Sequence, residues 1–89
     1  MKRKLLINQY ESVRSLIVAN VETIGALVKQ AEGLTELANS LKNNENTSET
    51  GKKIEEMVSK LKENITELIK QTTELFDEYY KFAEEVFDN

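Results

Sequence analysis

The chain has no cysteine, no histidine, no proline and no tryptophan, and only three glycines in 89 residues. Without cysteine no disulfide can staple the fold, and the redox compartment is left open. Without cysteine and histidine, the usual general base, thiol nucleophile and transition-metal ligands are missing. A carboxylate di-metal site in a bundle would need Glu-x-x-His pairs, which are absent for the same reason. Gly25, Gly33 and Gly51 stand alone, so no glycine-rich phosphate loop is encoded. The adjacent pairs Glu55/Glu56 and Glu84/Glu85 point different ways on a helix and make no acid/base dyad. These absences point away from an enzyme: no catalytic, cofactor-binding or metal residues are assigned, and no cofactor is expected.

Basic charge is also scarce. The formal charge is −4 and the isoelectric point near 4.9, which argues against nucleic acid, whose affinity comes largely from Lys and Arg neutralising phosphates. Lys2, Arg3 and Lys4 form the one basic run. The apolar stretch behind them stops at Asn8, Gln9 and Glu11, short of a secretory signal core. No run approaches the ~20 apolar residues of a membrane span, and an acidic polar face suits no bilayer surface.

What the chain does have is period. In alternating steps of three and four, the first half reads Leu6, Tyr10, Val13, Ile17, Asn20, Ile24, Leu27, Ala31, Leu34, Ala38 and Leu41, of which ten of eleven are apolar. The second half reads Ile54, Val58, Leu61, Ile65, Leu68, Thr72, Leu75, Tyr79, Phe82 and Val86, nine of ten apolar. Such seams predict two long helices, over about 3–43 and 48–87. Between them lies a polar loop at about 44–47, where Asn46 and Glu49 have capping-box spacing. A short loop between long helices implies antiparallel neighbours. The fold class is therefore all-α: one helical-hairpin domain over 1–89, completing a four-helix bundle with a partner or a second copy. A turn near 47–48 pairs Leu41 with Ile54, Ala31 with Ile65, and Tyr10 with Val86. It also sets the two polar seam residues, Asn20 and Thr72, in neighbouring layers, where a hydrogen bond would fix register.

A second row follows each seam one residue later: Val18, Val21, Gly25 and Val28 on the first helix, and Ile69, Thr73, Phe76, Tyr80, Ala83 and Phe87 on the second. An apolar arc wider than one seam wants a second surface to cover it, and a chain this small gains little from one strip alone. Five of the six aromatic residues lie in "FDEYYKFAEEVFDN", residues 76–89. There Tyr79 and Phe82 extend the seam, while Phe76, Tyr80 and Phe87 face elsewhere, as further core or as a recognition surface. Gly25 would let a partner helix approach closely, or is simply tolerated within its helix.

A chain of two long antiparallel helices, lacking cysteine and a signal peptide, resembles the small WXG-type helical-hairpin proteins of type VII secretion. The likeness is greatest to the helical partners that accompany LXG toxins in Gram-positive bacteria. That family carries a C-terminal export signal, Tyr-x-x-x-Asp/Glu, and "YKFAE" places Tyr80 and Glu84 at that spacing. The family's Trp-x-Gly turn is not present: Gly51 follows the loop, but Glu49 stands where the tryptophan would be. The resemblance implies a non-enzymatic targeting partner that binds a larger toxin's helical N-terminal domain, or a second small helical protein. It further implies a cytoplasmic location before export, and secretion without a cleaved signal. Two other readings stay open: a cytoplasmic homodimeric four-helix adaptor, and an acidic immunity or antitoxin-type protein that neutralises a basic partner.

Overall fold

The computed structural model describes residues 2–87; Asp88, part of the acidic end of the sequence, lies outside them. Helix α1 spans Lys2–Lys42 and helix α2 spans Ser48–Phe87. They lie antiparallel as one helical hairpin, a rod of 67 × 15 × 15 Å. Its radius of gyration is 19.8 Å, against roughly 12 Å for a compact domain of this length.

The turn is held by its own side chains. The last carbonyls of a helix need partners from outside it, and the Thr47 hydroxyl supplies one by donating to the Leu41 carbonyl at 2.7 Å. Thr47 also caps α2, since its carbonyl accepts the Gly51 N–H at 3.0 Å. The capping-box pairing of Asn46 with Glu49 does not form. It would need Glu49 to accept the Asn46 N–H, and that N–H is donated instead to Asn44 Oδ1 at 2.9 Å.

Every position of the two seams is buried or half-buried. Ile17, Ala31, Ala38, Val58, Ile65 and Val86 are buried, and burying a branched aliphatic side chain contributes about 1.5–3 kcal/mol. Among the described residues, no large side chain is fully buried. The polar layer is closed internally: Asn20 Nδ2 donates to Thr72 Oγ1 at 3.3 Å, and the Thr72 hydroxyl donates to the Leu68 carbonyl at 2.7 Å.

The seam is graded along its length. Near the turn Ala31 and Ala38 alternate with leucines, and Gly51 lies against α1 so closely that a Cβ there would sit 2.8 Å from the Ala38 carbonyl oxygen and 3.0 Å from the Lys42 nitrogen. At the open end the space is filled by aromatics. Tyr10 and Tyr79 stack with centroids 4.9 Å apart, their hydroxyls 2.7 Å from each other, and Phe87 stands perpendicular to the Tyr10 ring at 5.6 Å. The sequence pairing set Tyr10 opposite Val86. The tyrosine rings are long enough to reach past that layer and find each other's hydroxyls.

Two predictions follow from this grading. Alanine in place of a helical glycine ordinarily stabilises by about 1 kcal/mol. Gly33→Ala, where the new Cβ meets nothing within 4 Å, should raise the melting temperature read by circular dichroism. Gly51→Ala should lower it, because the new methyl strikes backbone that cannot swing aside. An equal rise at both sites would show that α1 and α2 are not in close contact at Gly51. The second prediction concerns pH. The Tyr79 hydrogen bond, and then burial, push the Tyr10 phenol above its ordinary value of 10.0, with Arg14 opposing. A phenol raised on folding stabilises the hairpin below that ordinary value, and the contribution is lost as pH climbs through it towards the raised one. Alkaline titration past pH 10 should therefore destabilise the native chain more than the Tyr10→Phe/Tyr79→Phe variant; identical alkaline profiles would remove the pair's role.

Candidate functional site

A residue one step past a seam position sits on one flank of its helix. Whether the two helices turn these flanks to the same side of the rod is settled by contacts. Lys42 and Glu55, each one past a seam residue, form an ion pair of 2.6 Å across the turn end. At the other end Val18 and Phe76, likewise one past the seam, line a single groove with Arg14, Ile17 and Tyr79. The two rows thus form one flank of the hairpin.

That flank is open. Val18, Val21, Val28, Ile69, Phe76, Tyr80 and Phe87 are all exposed large apolar side chains, Tyr80 at 62% and Phe87 at 67%. Ala83 is half-buried, while Thr73 and Gly25 are exposed. On α2 the apolar row from Ile69 to Phe87 runs about 27 Å at 1.5 Å per residue. Phe87 serves two surfaces, perpendicular to the Tyr10 ring on one side and largely in solvent on the other. Tyr80 stands edge-on to Tyr79 at 5.7 Å. Tyr80 and Glu84, the Tyr-x-x-x-Glu pair, lie one turn apart on α2 and are both exposed. Asn20 and Thr72 are inside the seam and take no part in the flank.

Toward the turn the same flank becomes polar. A groove beside the small Ala31 is floored by Val28 and Ile65 and rimmed by Glu32, Glu36 and Lys62. The flank therefore grades from apolar at the open end to charged-rimmed at the turn end. Among the described residues, no group of carboxylates is placed to hold a metal ion, and no helix is long and apolar enough to cross a membrane.

The seam pattern also held a signal that went unread. Leu5, Leu16, Leu37 and Met57 are exposed, and each stands one residue before a seam position, on the opposite flank. There they are interrupted on α2 by Gln71, Glu74 and Glu78, which share a groove with Leu16. That flank is the more polar of the two at the open end.

Comparison with protein-family models, with curated proteins and with solved structures gives no match.

Proposed function

We propose that this chain is a non-enzymatic binding partner, which acts by laying its open flank against another helical protein and completing an intermolecular bundle. One observation carries the reading: seven large apolar side chains stand exposed along a single flank of a hairpin whose own seam is already closed. Singly exposed apolar residues need no explanation, whereas a contiguous strip marks an interaction surface. The resemblance to the type VII hairpin proteins supports the more specific form, in which the partner is a larger LXG-type effector and the hairpin helps direct it to secretion. In that form Tyr80 and Glu84 are the export signal, Tyr80 within the covered flank and Glu84, off the apolar row, left exposed to a reader.

Phe76→Asp places a charge on the flank, at the seam's edge beside Ile17 and Tyr79 but outside the seam layers. It should leave helical circular dichroism intact and weaken capture of the effector tenfold or more. Leu61→Asp buries an unpaired charge in the seam and should abolish helicity and capture together. If Phe76→Asp costs as much helicity as Leu61→Asp, the flank belongs to the core. Glu84→Ala, which lies off the apolar row, should preserve the complex yet cut export; undiminished export would remove the signal role.

A further inference from the structure

We infer that the open flank is also self-complementary, so that in the absence of an effector a second copy of the chain covers it. The two hairpins pack face to face about a two-fold axis parallel to the rod. Each α1 then lies along the partner's α2, with both turns at the same end.

Surface area is the first support. The chain exposes 6888 Å², whereas a compact monomer of its mass exposes about 5,300 Å². The surplus, about 1,600 Å², is twice the roughly 800 Å² that a standard-size interface takes from each partner, so the chain has ample surface to lose on assembly. Overlap along most of the 67 Å rod covers far more of the flank than overlap of the open halves alone. A two-fold axis perpendicular to the rod, centred on the apolar strip, would overlap just the open halves.

Charge selects the same arrangement independently. Over residues 2–28, α1 carries Lys2, Arg3, Lys4 and Arg14 against Glu11 and Glu22, while over 65–87 α2 carries six carboxylates against Lys70 and Lys81. A parallel axis sets the basic half-helix of each copy beside the acidic half-helix of the other. A perpendicular axis stacks α1 on α1 and α2 on α2, like on like. At the polar end the parallel axis brings Lys62 level with Glu32 and Glu36 of the second copy, the carboxylates whose groove it already rims at home. Gly25 fits the same picture. In the single hairpin a Cβ there meets nothing within 4 Å, so the fold does not require glycine, whereas a second helix crossing the middle of the strip gains from its small size.

The inference stands apart from the effector reading and is tested on the purified full chain alone. Sedimentation equilibrium should give twice the 10.2 kDa chain mass at micromolar concentration. Gly25→Trp should keep the helical spectrum and weaken the dimer at least tenfold, because its side chain has room in one hairpin but not between two. The absence of native cysteine makes the axis directly readable. Val18→Cys protein mixed with Tyr80→Cys protein should form a disulfide-linked pair faster than either variant alone. A native chain that stays monomeric, a Gly25→Trp dimer as tight as the native one, or faster linking of each variant to itself would overturn the arrangement. None of those results would touch effector capture by Phe76.

Discussion

Two helices in contact can share only one seam, and everything else about this molecule follows from that constraint. A helix in a two-helix rod has a partner on one side and water on the rest, so burial is confined to a strip. The strip here is long, and yet among the described residues no large side chain on it is fully enclosed. Length replaces depth: the seam runs from Leu6 to Leu41 on α1 and from Ile54 to Val86 on α2, layer upon thin layer. Such a fold is stabilised by many small terms, and its remaining apolar surface is left facing outward by geometry.

The same constraint makes register decisive. A seam of similar layers can slide by a turn at modest cost, and several devices here oppose sliding. The Thr47 hydroxyl bond to Leu41 fixes the turn, and the close fit of Gly51 against the Ala38 carbonyl fixes the first layer beyond it. The Asn20–Thr72 pair in mid-rod costs some apolar burial, but a slipped pairing would leave both groups unsatisfied. The stacked tyrosines do the same work at the open end, because two rings sharing a hydroxyl bond have no equivalent partner one turn away.

Most of this architecture was legible in the sequence because helical period and burial are coupled directly: a residue every three or four positions must face the same neighbour. The seam could therefore be read from Leu6 to Val86. What could not be read depends on distances between backbones and on which of several donors reaches an acceptor first. Gly51 is simply an isolated glycine after the loop until the α1 carbonyl beside it is located. Asn46 and Glu49 have the spacing of a capping box, yet Asn44 takes the N–H on which that box depends. Tyr10 was paired with Val86 by counting residues, but a tyrosine ring is as long as a helical turn is high, and counting does not capture its reach. The flank was legible as a second row, because it keeps the seam's period at an offset of one. The identity of its occupant was not, since affinity belongs to the complement of the surface as much as to the surface itself.

The two helices are unequal, and the inequality bears on how any assembly is built. Between Arg14 and Lys29, α1 carries a single charge, Glu22, and its apolar residues spread round the helix: Ile17 and Ile24 in the seam, Val18, Val21 and Val28 on one flank, Leu16 on the other. Over the same height α2 keeps a charged outer face, with Lys70, Glu74, Asp77 and Glu78. A helix apolar on several sides is suited to having neighbours on several sides, while a helix with one apolar arc and one charged arc is suited to the boundary with water. The hairpin supplies α1 with one neighbour. Any second hairpin or effector helix laid on the open flank supplies another, and α2 can stay at the solvent boundary in either case. In the assembly proposed above, the middle of α1 is thus the part of the chain with most to gain, and Gly25, where an added Cβ would meet nothing within 4 Å in the single hairpin, is where a second helix would come nearest.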